Sequence, residues 1–95
     1  MDLGTGSLAN LARLRDYKSR RLSSYDRSGG NLDCLMVAPG ACAELGTIAG
    51  AGCVKHIWMT MASLPEEPHD LRQTVLRLFW DGEDSPSVEV PLGDF

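Results

Sequence analysis

This 95-residue chain has no paired-cysteine framework. Cys34, Cys42 and Cys53 are odd in number and show no CxxC pair, so no disulfide scaffold and no metal site is read from them. Each sits among small or apolar residues, where a free thiol behaves as a small buried hydrophobe. There is no apolar run of signal-peptide length at the start, and nothing approaches the roughly eighteen consecutive apolar residues of a membrane span. The chain as it stands is therefore expected to be cytoplasmic and without membrane contact, or secreted or periplasmic if an N-terminal signal has been lost. The Gly29-Gly30 pair belongs to neither the glycine-lysine phosphate loop nor a GxGxxG fingerprint, so no nucleotide cofactor is expected. No cofactor of any other kind is implied.

What is present is an ordinary globular composition, 43% hydrophobic and 23% charged, long enough for one modest core. The formal net charge of -4 conceals a basic start, with Arg13, Arg15, Lys18, Arg20, Arg21 and Arg27 against Asp2, Asp16 and Asp26. A basic arm of this kind can serve nucleic acid, but a solvated helix face or a subunit contact is the preferred reading, with no nucleic-acid partner. Ser7 is placed to cap an N-terminal α-helix running to about Arg20, with Leu8, Leu11, Ala12 and Arg15 on one narrow stripe. Residues 1–22 thus read as a helical arm and 23–95 as the main domain.

Strand signals dominate that domain. Thr74 to Trp80 is β-branched and aromatic, Asp81 to Pro86 is a cluster of turn formers, and Ser87 to Leu92 alternates, which together spell an antiparallel hairpin reversing at Asp81-Gly82. Shorter extended pieces are expected at Cys34–Ala38, Ala41–Ile48 and Cys53–Met61, separated by turns at Pro39-Gly40 and at Gly50 to Gly52. Alternation in the last piece puts Cys53, Ile57, Met59 and Met61, together with Lys55, toward a core and Val54, His56, Trp58 and Thr60 on the opposite face. The architecture expected is all-β, a partial jelly roll or β-sandwich behind one N-terminal α-helix. Ending on Gly93-Asp94-Phe95, a sandwich of this kind leaves open edges, so the sequence reads as an N-terminal fragment.

Two places carry candidate chemistry. The loop from Ser19 to Asp33 concentrates Tyr25, Asp26, Arg27, Asn31 and Asp33 within nine positions, the make-up of a polar-ligand loop, although a plain connector is the commoner use of such a stretch. His56 beside Trp58 suits a sugar, the ring stacking on C–H groups and the imidazole bonding hydroxyls; packing under a second sheet is the alternative, favoured about two to one. Glu66 and Glu67, adjacent in a proline-bounded loop, point in different directions and are not assigned catalysis, and His69 is read as exposed.

The motifs SSYDRSGGN, GAGCVKHIWMT and FWDGEDSPSVEVPLGDF, with the stretches joining them, resemble the N-terminal part of glycoside hydrolase family 172 over Ser19 to Phe95. That family includes enzymes acting on difructose dianhydrides and on D-fructofuranosides and D-arabinofuranosides. The resemblance implies two jelly-roll units in a full-length protein and a carbohydrate substrate. It also implies a homo-oligomer, trimeric or larger, with sites near subunit boundaries, and anomer-retaining hydrolysis by two carboxylates. Family members are several times longer, and their catalytic glutamates lie beyond the position of Phe95. None of Glu44, Glu66, Glu67, Glu83 or Glu89 matches that pair, so these residues alone are expected to be inactive. Carried over as substrate-side candidates are Tyr25, Asp26, Arg27, Asn31, His56, Trp58 and Asp94. Asp26 and Asn31 are expected to bond furanose hydroxyls, Trp58 to pack on the ring, and Asp94 to orient a neighbour or a hydroxyl. The rival expectation is a non-catalytic β-sandwich module for carbohydrate binding or assembly.

Overall fold

The computed structural model describes residues 8–66 and 71–95. Ser7, Glu67 and His69 lie outside the described residues, and with them the expected helix cap and two of the loop assignments. The chain divides into two units, Met1–His56 and Ile57–Phe95. Among the described residues no helix is long and apolar enough to cross a membrane.

The second unit is organised by the hairpin. Strand β1, Val75–Leu78, pairs antiparallel with β2, Val88–Pro91, in the register Val75↔Pro91, Leu76↔Val90, Arg77↔Glu89 and Leu78↔Val88. Reversal occurs where the sequence places it. Asp81 and Gly82 both take positive φ, 52° and 71°, and the Glu83 N–H donates to the Trp80 carbonyl at 2.9 Å. Two successive positive φ values are the mark of the mirror-image turn whose twist matches paired strands, and Asp and Gly are the residues that tolerate it. The ladder is extended on one side by the Ser87 N–H to the Leu78 carbonyl (2.8 Å) and on the other by the Leu92 N–H to the Thr74 carbonyl (2.7 Å). Beyond β2 the chain turns through a short 3-10 segment, Leu92–Asp94. Leu76 is the one buried hydrophobic among the described residues. Its cross-strand partner Val90 and the neighbouring Leu78 and Val88 are half-buried.

The described residues of the first unit carry turns rather than sheet. Ala38 to Ala41 closes with the Ala41 N–H on the Ala38 carbonyl at 3.0 Å, the Pro39-Gly40 turn expected from sequence. Leu22 lies over Gly46 so closely that a Cβ there would stand 2.6 Å from its Cδ1.

Three expectations are corrected. The N-terminal α-helix is absent from the described residues; only a 3-10 turn at Leu8–Asn10 forms, and Leu8, Leu11 and Leu14 are 80% exposed or more. A stripe this narrow, with nothing packed on it, does not offset the cost of nucleating a helix. The pieces Cys34–Ala38, Ala41–Ile48 and Cys53–Met61 are not paired strands. A strand is defined by its neighbour, and β-propensity without a facing ladder leaves the backbone bonded to water. For the same reason Cys34, Cys42 and Cys53 are exposed free thiols rather than buried ones. Of the expected all-β architecture the described residues show one antiparallel pair.

Candidate functional site

Ser24 to Asp33 is folded by its own side chains. Asp26 begins a turn in which the Gly29 N–H donates to its carbonyl at 3.1 Å. Its Oδ1 accepts from the Ser28 N–H at 2.9 Å and the Ser28 hydroxyl at 2.6 Å, the local bond by which Asp mimics a backbone turn. Its Oδ2 accepts from the Leu32 N–H at 3.1 Å, spanning the loop. Asp33 returns the connection, its Oδ1 taking the Asp26 N–H at 2.7 Å, while the Ser24 hydroxyl donates to the Asp33 carbonyl at 3.1 Å. Between these ties Asn31 sits at φ 67°, a left-handed conformation that Asn tolerates better than most residues.

The electrostatics follow from the donors. The Ser28 hydroxyl foremost, then the backbone N–H groups of Ser28, Leu32 and Gly30, hold the Asp26 carboxyl below its ordinary value of 3.8 against a small opposing effect of burial. On the outside of the loop the Arg27 guanidinium lies over the Tyr25 ring, 4.8 Å from its centroid, within cation–π range. Tyr25 is half exposed and Asn31 is exposed, so a stacked aromatic-cation pair and a carboxamide face solvent on a loop whose backbone is tied down.

The second unit contains an open groove of about 1070 Å³, lined by Ile57, Met59, Met61, Leu71, Leu92 and Phe95 among others. Of the Cys53–Met61 run, Ile57, Met59 and Met61 line this groove, but so does Thr60, which alternation places on the opposite face; Trp58 is not among the lining residues and is 74% exposed. Asp94 lines the groove and meets the Arg72 guanidinium, Nη2 to Oδ2, at 3.3 Å.

Of the sequence-selected residues, Tyr25, Asp26, Arg27 and Asn31 share one loop of the first unit, and Asp94 belongs to the groove of the second. His56 and Trp58 are both exposed, on alternate positions of one extended run, with the division between units falling between them. Sequence reasoning missed the tie made by Ser28 and the closing role of Asp33. The signal for the first was present as Asp-x-Ser at Asp26 and Ser28, the spacing of a side-chain turn. The partnership of Arg72 with Asp94 has no local signature. Three of the glutamates are engaged nearby: Glu44 accepts from the Thr47 hydroxyl at 2.6 Å, Glu83 from the Ser87 hydroxyl at 2.8 Å, and Glu89 pairs with Arg77.

The comparison with protein families is specific. Residues 15–95 match the family described as GH172 first beta-sandwich domain. The chain belongs to this glycoside hydrolase family, and its fold class is that of a β-sandwich domain, of which the described residues display one hairpin. No curated protein and no solved structure matches the chain.

Proposed function

We propose that the chain supplies part of the sugar-binding surface of a retaining glycoside hydrolase acting on fructofuranoside or arabinofuranoside linkages, within a jelly-roll form of the family's β-sandwich. The observation carrying this reading is the Ser24–Asp33 loop, which lies inside the family match and presents Tyr25, Arg27 and Asn31 from a backbone held by two carboxylates. A furanose offers vicinal hydroxyls to a carboxamide and a guanidinium and a C–H face to an aromatic ring, so these three groups match its chemistry. The acid/base and nucleophilic carboxylates of such an enzyme stand a fixed distance apart across the scissile bond. The resemblance matches none of Glu44, Glu83 and Glu89 to that pair, which is therefore assigned to other residues. A homo-oligomer completes this proposal.

The test is hydrolysis of difructose dianhydride and of aryl α-D-arabinofuranosides by the native gene product, with the anomer first released read by NMR. Retention, with Asn31→Ala and Arg27→Ala lowering kcat/KM at least tenfold, is the expected result. Inversion, or unchanged kcat/KM in both variants, refutes it. A non-catalytic assembly module remains the second reading, favoured by the exposure of the apolar groove residues Leu71 (47%) and Phe95 (58%). It predicts sugar binding or self-association with no turnover.

A further inference from the structure

We infer that Asp26 and Asp33 are positioning residues, a two-carboxylate clasp that sets the Tyr25–Arg27 stack and Asn31 toward the sugar, with the Asp26 carboxylate itself not touching it. This rests on the Ser24–Asp33 loop being the sugar-facing element. Four observations carry it. Both Asp26 oxygens are occupied, Oδ1 by two donors of Ser28 and Oδ2 by the Leu32 N–H. Asp33 Oδ1 is occupied by the Asp26 N–H, at 2.7 Å, so each end of the loop is fixed by the other. The residues between the two carboxylates are thereby held as one ring of short bonds. The fourth observation is steric. A Cβ at Gly30 would stand 2.9 Å from Asp26 Oδ2 and 3.2 Å from the Ser28 hydroxyl oxygen, so Gly30 is the space in which the carboxylate sits.

That glycine separates a clasp from a ligand. A carboxylate that bonds sugar hydroxyls is lost by changing the carboxylate; a clasp is lost equally by Gly30→Ala, which removes no group able to touch a sugar. The added methyl displaces Oδ2 and with it the Leu32 tie. Leu32 and Asn31 are adjacent, so freeing the Leu32 N–H releases the left-handed turn at Asn31.

The experiment uses the isotopically labelled chain, its Asp26→Ala, Asp26→Asn and Gly30→Ala variants, and methyl α-D-arabinofuranoside and methyl β-D-fructofuranoside as probes. NMR reads the ring-current displacement of the Arg27 side-chain protons over Tyr25, the Asn31 carboxamide signals, and amide exchange at Ser28 and Leu32. Asp26→Ala and Gly30→Ala are expected to abolish the displacement, move the Asn31 signals and speed those amides roughly fivefold to tenfold, as loss of a charge-assisted bond does. Asp26→Asn, which keeps one acceptor oxygen, rescues part of each effect. The Leu76 amide, in the hairpin, stays unchanged and shows that the chain is otherwise intact. Arg27 and Asn31 signals that stay in place in Gly30→Ala and Asp26→Ala overturn the clasp. So does a sugar-induced shift at the Asp26 carboxyl carbon that leaves Tyr25, Arg27 and Asn31 unmoved. A wild-type chain with no response to either sugar sinks the sugar-facing reading by itself, and the clasp is then decided by the Arg27 and Asn31 signals alone.

Discussion

Leu76→Ala should open the hairpin far more than Arg77→Ala, although Arg77 makes the shorter contact. Leu76 is 7% exposed and stands opposite Val90 in the ladder. Truncation to Ala removes about three buried carbons at about 0.8 kcal/mol each, and the half-exposed surroundings reduce the total to about 2 kcal/mol. Arg77 Nε meets Glu89 Oε2 at 2.6 Å, directly across the strands, but the two side chains are 46% and 54% exposed. Solvent screening leaves such a pair worth about 0.5 kcal/mol. With a tenfold change for every 1.4 kcal/mol, exchange at the Ser87 and Leu92 amides should rise roughly thirtyfold in Leu76→Ala, up to the unprotected rate, and roughly twofold in Arg77→Ala. Amide exchange followed by NMR is the assay, those two amides being the ones that donate to Leu78 and Thr74. In 1 M salt the Arg77→Ala effect should vanish and the Leu76→Ala effect should persist. Equal effects, or a larger one from Arg77→Ala, would show that the ion pair rather than the apolar contact holds the strands, and the reasoning would fail.

At the turn, Gly82→Val should cost the hairpin about 1–2 kcal/mol, because a β-branched residue cannot hold φ 71° without strain, whereas Asp81→Gly should be neutral or better; thermal melts of the two variants decide it. Acidification should loosen the Ser24–Asp33 loop. The folded Asp26 carboxyl is depressed below 3.8, so its stabilisation is present above pH 3.8 and is lost as pH falls through the folded value. Ser28 and Leu32 amide shifts followed from pH 6 downward should hold until below pH 3.8 and then move together; a transition centred above 3.8 contradicts the bonding described. Arg72→Ala should leave the melting temperature unchanged within error, since its partner Asp94 is 42% exposed and Arg72 itself 74%.

What the sequence disclosed and what it withheld divide by the range of the interactions involved. The Asp81-Gly82 reversal and the Pro39-Gly40 turn depend on backbone preferences a few residues wide, and each is found where the sequence places it. The run Cys53–Met61 has the composition of a strand, but a ladder requires a second chain segment at the right register, and composition does not encode the neighbour. The basic stretch from Leu8 failed for a related reason, its apolar stripe having nothing to pack against. The polar loop lies between these cases. Its residues were legible as a group, yet a carboxylate that bonds a sugar and a carboxylate that bonds its own backbone look identical in one-letter code. Spacing tells them apart only where, as at Asp26 and Ser28, it matches a known side-chain turn. Because every tie in that loop closes within ten residues, its order does not wait on distant strand pairing. The Tyr25–Arg27 stack and the left-handed turn at Asn31 are therefore set by local bonds, in a unit whose described residues form no paired strand.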